Sequence, residues 1–312
     1  MRLKTGTVQA QRDFGQIPFA AALIELPNKQ QDRVGRRHVG RIAWERNCPG
    51  TGPMLTRIQY RILKRISPGD PSICTGDAYQ DKSKLGVLLG DEFLSRIRDK
   101  IVIDFGCGEG LESLDLARYG AKKVIGIDIR EDVLAKARNN AAAAGLEAVC
   151  LFSTATDERA DVIVSIDAFE HFDDPPSILR IMDGLLGPEG EVLASFGPTW
   201  YHPLGGHLFS VIPWAHLLFS ERALMRWRSD IRNDGAVRFG EVAGGLNQMT
   251  IRRFERIVAG SPFQFAELDT VPIKKLRPVH NRLTREFTTA VVRCRLVKRK
   301  RMSAKIETRA TV

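Results

Sequence analysis

With 312 residues, a formal excess of +10, 27% charged and 43% hydrophobic side chains, the chain is long enough for one elaborated domain or a domain with an arm. The first residues lack the continuous apolar core of a signal peptide, and the most apolar stretches, such as 211–219, are too short to span a bilayer; a cytoplasmic protein is expected. Cys48, Cys74, Cys107, Cys150 and Cys294 are scattered and odd in number, which suits free thiols rather than a disulfide framework.

Residues 1–53 show no steady periodicity and are expected to form a poorly ordered arm, with Met54 a candidate for the true start. From Met54 the pattern changes, and a helical segment is expected over 54–98. Leu55, Ile58, Ile62, Leu63 and Ile66 form one stripe, with Arg57, Arg61, Lys64 and Arg65 largely off it. Such a basic amphipathic helix covers a core or a partner copy in the commoner case and touches a membrane surface in the rarer one.

Val102 to Phe105 then read as a buried strand that runs through Asp104 into Gly106, Gly108 and Gly110. Glycine suits a turn where backbone approaches a ligand, because it tolerates positive φ and has no Cβ in the way. A helix from about Glu109 to Tyr119 is closed by Gly120, and Lys123 to Ile127 form a second strand ending at Asp128. An acid at that edge of the next parallel strand accepts hydrogen bonds from the two hydroxyls of a ribose. The dinucleotide fingerprint requires a third glycine where this chain has Leu111, so the nucleoside is of another kind.

A helix over 132–144 with Gly145 as its C-cap, a third strand at 149–152 and a fourth at 161–166 follow. Asp167-Ala168-Phe169-Glu170-His171-Phe172 comes next, then a helix from Pro176 to Leu186 and a fifth strand from Gly190 to Phe196. Strands alternating with helices predict an α/β, doubly wound parallel sheet. Thr250 is the expected N-cap of an amphipathic helix carrying Ile251, Phe254, Ile257 and Val258.

The set of strand, Asp104, three glycines, helix, strand and Asp128 resembles the S-adenosylmethionine site of class I methyltransferases, and the likeness runs from about Tyr79 to Leu296. That resemblance, to the small-molecule methyltransferase type 11 group in particular, implies a Rossmann-like seven-stranded sheet closed by an antiparallel hairpin (about 263–271 and 287–297). The methyltransferase domain would then span 99–297. It implies that Gly106, Gly108 and Gly110 pass the methionine part of S-adenosyl-L-methionine, that Asp104 helps hold its amino group, and that Asp128 holds the ribose. The family's acid after the third strand is missing, so Asp157, Thr154 or a backbone group would meet the adenine; Asp167 joins the cofactor-binding set.

The phrase from Ser165 to Phe172 resembles the corresponding loop of small-molecule O-methyltransferases and of cyclopropane fatty-acid synthases. A hydroxyl acceptor must lose a proton, and His171 is the candidate base, with Glu170 orienting it or binding a pocket edge. The alternative is that His171 lines the pocket. Residues 197–245 form an inserted segment expected to act as a substrate lid, with Trp200, Tyr201, His202 and His207 at its start. Its aromatics either meet a flat, greasy acceptor or pack the lid. Its histidines, with no cysteine or carboxylate at ligand spacing, are read as substrate contacts, a second base or loop hydrogen bonders rather than a metal site.

The stretch from Lys274 to Val312 holds thirteen basic residues against Glu286 and Glu307, which accounts for the whole surplus. Its densest run, Lys298 to Arg301, opens an expected basic, disordered tail over 298–312. RNA, DNA and anionic lipid are the partners such a tail suits. Base-directed amino-methyltransferases carry an [N/D]-P-P-aromatic motif directly after the fourth strand. Here Asp174-Pro175-Pro176-Ser177 lies later and lacks the aromatic, against base N-methylation. The favoured reading is methyl transfer to oxygen of a small-molecule or lipid- or sugar-linked acceptor. An RNA-directed enzyme and a non-catalytic cofactor-binding homologue are the alternatives.

Overall fold

The computed structural model describes residues 53–67, 69, 84–207, 210, 212–232, 234–242 and 245–300. The expectations for 1–52, for Cys48 and Cys74, and for the tail from Arg301 lie outside them.

Seven strands form one sheet: β1 (Ile101–Phe105), β2 (Lys123–Ile127), β3 (Cys150–Ser153), β4 (Ala160–Ile166), β5 (Leu186–Phe196), and, last in the chain, β6 (Phe263–Pro272) and β7 (Thr289–Lys298). Their order is β3-β2-β1-β4-β5-β7-β6. The first five are parallel, and β7 runs antiparallel between β5 and β6. The order reverses between β1 and β4, which opens a crevice at the carboxyl ends of the strands, where ligands bind in such sheets.

Strands buried on both faces read as nearly continuous apolar runs, and β1, β2 and β4 do so. One face packs Ile103, Ile125 and Ile163 with Ile178, Leu179 and Met182 of a helix over Pro175–Leu185, and with Phe254 and Val258 of a helix over Ile251–Ala259. The other packs Val102, Val124 and Val162 with Leu114, Leu134 and Ala137 from helices over Leu111–Arg118 and Glu131–Ala143. The helix after the glycine turn begins at Leu111 rather than Glu109 because its N-cap, Gly110, sits at φ 78°, outside the helical region. Asp174 caps the 175–185 helix by accepting from the Ser177 amide, and Thr250 caps the 251–259 helix by accepting from the Arg253 amide.

The first helix of the chain, α1 (Pro53–Ile66), differs from the commoner expectation for its stripe. It buries Thr56 and Leu63, with Ser67 buried just past its end, while Leu55, Ile58, Ile62 and Ile66 face solvent. Its partner is a helix over Glu221–Arg228 inside the 197–245 insertion. Together they enclose a third apolar cluster around Leu63, Leu224, Trp227 and Phe239.

The basic end also differs from a purely solvated tail. Arg293 pairs with Asp269 at 2.6 Å and Arg295 with Glu267 at 2.6 Å and Glu191 at 3.1 Å. Lys298 is the last residue of β7; it pairs with Asp183 at 3.1 Å and donates to the Leu186 carbonyl. Arg299 donates to the carbonyl of Phe263. Much of this charge therefore ties the hairpin to its neighbours, because alternate residues of an edge pair point the same way and can be matched across strands.

Candidate active site

The glycine turn joins β1 to the following helix with Gly106, Gly108 and Gly110 at φ of 89°, 51° and 78°. Left-handed backbone of this kind is costly for other residues. The three differ in what a side chain would meet. A Cβ on Gly110 would lie 2.8 Å from the Phe152 ring and 2.9 Å from Ala137, so this glycine serves close packing. A Cβ on Gly108 would meet nothing within 4 Å, so its backbone edge lies open to a ligand.

Asp128, nearly buried just past β2, holds the turn from the side. Its Oδ2 accepts from the Gly108 amide at 3.1 Å, and its Oδ1 from the Arg130 amide and guanidinium at 3.0 and 3.1 Å. Asp104 is buried below the turn and accepts from the Ser113 hydroxyl at 2.5 Å. Burial pushes its carboxyl up to about 7, against the pull of Ser113, and a cation placed over it would lower it again.

Asp167 follows β4 at φ 48°, a conformation aspartate tolerates better than most residues. Lys84, from a short helix over Lys84–Leu88, reaches Asp167 at 3.0 Å and Glu112 at 3.2 Å. Burial opposes the charge on Lys84, but the two carboxylates outweigh it and hold the ammonium well above its ordinary range. Thr154 lies just beyond β3 and Asp157 further along the same connection, both exposed. The crevice thus gathers Asp104, Glu112, Asp128 and Asp167; Lys84 and Arg130 match the last three, and Asp104 is left to a cationic group of a ligand.

The loop after β4 is fixed by a residue to which the sequence assigned no role. Asn247 donates from its side-chain amide to the carbonyls of Phe169 at 2.7 Å and Phe172 at 2.8 Å, and its backbone amide donates to the Glu170 carbonyl at 2.9 Å. Phe169 packs edge-on against Phe172, at 5.2 Å between centroids, and against Phe254, at 5.1 Å. This scaffold presents His171, which is half-buried, with its Nδ1 2.7 Å from the Gly245 carbonyl. A carbonyl only accepts, so Nδ1 carries the hydrogen and Nε2 of the neutral ring is left as an acceptor.

Glu170 does not orient His171. Its Oε1 accepts from the Gly197 amide at 3.3 Å, and its Oε2 is buried without a partner among the described residues. Burial first, then the neighbouring Asp167 charge, push its carboxyl up to about 8. The folded protein therefore favours the protonated acid, whereas an unfolded glutamate ionises near about 4.3. The resulting stability is fully present below the unfolded value and is lost as pH rises through about 8. Glu170→Gln, which has the same shape and cannot ionise, should gain on the wild type in melting temperature between pH 5 and pH 9, about those limits being set by the same linkage. A parallel pH dependence of the two melting curves would show that Glu170 is charged in the fold.

The start of the insertion splits its four residues between two tasks. His207 comes to His171, with ring centroids 5.6 Å apart, and its Nε2 lies 3.3 Å from the Pro198 carbonyl. Burial, helped by His171, pushes His207 down to about 4, so it is neutral near pH 7. Trp200 turns inward against His216 at 4.6 Å and Phe239 at 5.2 Å, and packs the insertion. Tyr201 lies by Phe287 at 5.2 Å, while His202 Nδ1 accepts from the Leu204 amide at 3.0 Å. His216 faces the Trp200 carbonyl. Lys84, Arg130 and Asn247 are the site residues the sequence did not single out. Only Arg130, two residues beyond Asp128, carried a usable signal.

A doubly wound sheet with an open glycine turn and an acid at the tip of the next strand defines a nucleoside-binding α/β domain. Residues 98–198 match a family model described as a methyltransferase domain. The chain is 37% identical over 106 residues to a ubiquinone biosynthesis O-methyltransferase of Neisseria meningitidis, covering 32% of this chain and 44% of that protein. It is 38% identical over 111 residues to the enzyme so named in Stutzerimonas stutzeri, covering 34% and 47%. The match thus takes in less than half the length of these relatives. A solved structure of a putative sarcosine dimethylglycine methyltransferase from Galdieria sulphuraria superposes with a TM-score of 0.47 at 12% identity, over 77% of this chain and 98% of that one.

Proposed function

We propose that this chain transfers a methyl group from S-adenosyl-L-methionine to a hydroxyl oxygen of a small-molecule acceptor. The observation that carries the reading is the His171 tautomer: Nδ1 is committed to the Gly245 carbonyl, and Nε2 is left to accept a proton beside the crevice. Bound S-adenosylmethionine supplies an electrophilic methyl on a sulfonium, so the chain needs mainly to hold both partners and take up the hydroxyl proton.

Each part has a residue. Asp128 accepts from the ribose hydroxyls; the turn of Gly106, Gly108 and Gly110 passes the methionine portion, with the open edge at Gly108 closing on it; Asp104 faces its ammonium. Asp167 keeps Lys84 at the same end, where an ammonium suits a carboxylate. Thr154 or Asp157 borders the adenine. His171 takes the acceptor proton, and His207, neutral and against it, avoids placing a second positive charge beside the protonated ring. Glu170 supports the loop as a neutral acid and makes no contact with the acceptor. The relatives' name, ubiquinone biosynthesis O-methyltransferase, supports oxygen as the accepting atom.

The test is transfer of a labelled methyl from the cofactor to pooled catechols, phenols, fatty acyl and sugar acceptors, with RNA as a parallel arm. Label recovered as a methyl ether is the expected result. Label on RNA alone would replace the reading with the nucleic-acid one. Cofactor binding without transfer to any pool would leave a binding protein.

A further inference from the structure

We propose that α1 docks the protein on an anionic membrane surface, independently of the chemistry in the crevice. The rotation of this helix is fixed by its inner face. Tyr60 donates to Asp230 at 2.7 Å, Gln59 accepts from the Ser220 hydroxyl at 2.6 Å, and the Trp227 indole donates to the Ser67 carbonyl at 2.9 Å. Leu63 is fully buried between them. The apolar stripe consequently cannot turn inward without breaking all three. Met54 is left 76% exposed, Ile66 59%, Leu55 48%, Ile58 44% and Ile62 41%. Five aliphatic side chains on one outer face of a helix about 21 Å long are more than scattered surface leucines.

Charge chooses the occupant. Arg61 and Arg65 accompany the stripe on the same 14-residue helix, which has no acidic residue, while Lys64 pairs with Asp230 at 3.2 Å at its edge. Residues 1–52 of this chain carry nine basic against four acidic residues, so that segment is repelled from the face. A second copy would bring the same cations against these. Nucleic acid would satisfy the cations but has no use for the aliphatic row. A bilayer rich in anionic headgroups satisfies both, with the row entering the acyl boundary and the cations meeting phosphates.

Two further segments expose apolar side chains, the first of them beside α1. Leu217 and Leu218, on a short helix over Ala215–Leu218, are exposed and close in sequence to Ser220, which holds Gln59 beside Ile58. The connection between β6 and β7 exposes Val279, Leu283 and Phe287 among Lys274, Lys275, Arg277 and Arg282. This connection ends where β7 pairs with the carboxyl end of β5, Phe196 opposite Val292.

The experiment is co-sedimentation of the full chain with vesicles of phosphatidylcholine alone and of equimolar phosphatidylcholine and phosphatidylglycerol. Binding to the anionic vesicles only is expected. Both Ile58→Ser/Ile62→Ser and Arg61→Glu/Arg65→Glu should weaken it about tenfold or more, since apolar burial and charge each contribute to interfacial binding. All four residues are exposed, so cofactor binding and melting temperature should stay as in the wild type. Failure to bind anionic vesicles, or binding unchanged in Ile58→Ser/Ile62→Ser, overturns the proposal. So does a dimer that Ile58→Ser/Ile62→Ser dissociates, or retention on RNA in preference to vesicles.

Discussion

His171→Ala should lower the turnover number for methyl transfer by about a hundredfold to ten-thousandfold, the range general-base removal costs. Affinity for the cofactor should change little. The separation follows from the geometry. His171 stands on the loop after β4, held through Asn247 and through its own Nδ1 on the Gly245 carbonyl, while Asp128 and the glycines belong to the connections after β1 and β2. Removing the imidazole leaves the Phe169, Phe172 and Phe254 packing in place, so the loop should persist. Turnover with the alanine variant should recover in part when imidazole is added to the buffer, because a small base can enter the space the ring vacates. Equal losses in turnover and cofactor affinity would mean that the ring shapes the pocket instead. His207→Ala is the companion measurement: its Nε2 faces the Pro198 carbonyl, so a milder loss is expected there.

The parts of this chain that were legible in the sequence are those where one local requirement selects the residue. Three glycines at positive φ, an acid at the tip of β2 and apolar runs along β1, β2 and β4 each reflect a backbone or burial constraint acting within a few residues. Asn247 was not legible, because its partners Phe169 and Phe172 lie more than seventy residues away and an asparagine before a helix reads as an ordinary loop residue. Lys84 was hidden for the same reason: its partners are Asp167 and Glu112, and nothing near it in sequence marks a site. Glu170 beside His171 suggested an acid orienting a base, yet successive residues in a turn point apart, and its carboxyl went to the Gly197 amide. In α1 the periodicity was plain but its sense was not. Hydrophobic period locates a stripe; which neighbour a helix meets decides how much of it is buried, and here only Leu63 of the stripe is, beside Thr56 and Ser67.

Asp128→Ala should weaken S-adenosylmethionine binding by at least about a hundredfold, measured by calorimetry, because hydrogen bonds to a charged acceptor are worth roughly 1.5–3 kcal/mol each and a ribose makes two. The same carboxylate also accepts from the Gly108 amide at 3.1 Å, at the one glycine of the turn whose Cβ direction is open. Its loss therefore removes a ligand contact and loosens the backbone edge that faces the ligand. Asp128→Asn separates the two effects. An amide oxygen can still accept from Gly108, but only one acceptor atom remains and it is uncharged, so an intermediate loss is expected. Arg130 sharpens the comparison. Its guanidinium lies on both carboxylate oxygens, at 3.1 Å from Oδ1 and 3.3 Å from Oδ2, where ribose hydroxyls would compete with it. Arg130→Ala should thus leave affinity equal or higher, opposite in sign to Asp128→Ala. An affinity unchanged in Asp128→Ala would remove the ribose contact from the site and, with it, the argument that this crevice takes a nucleoside.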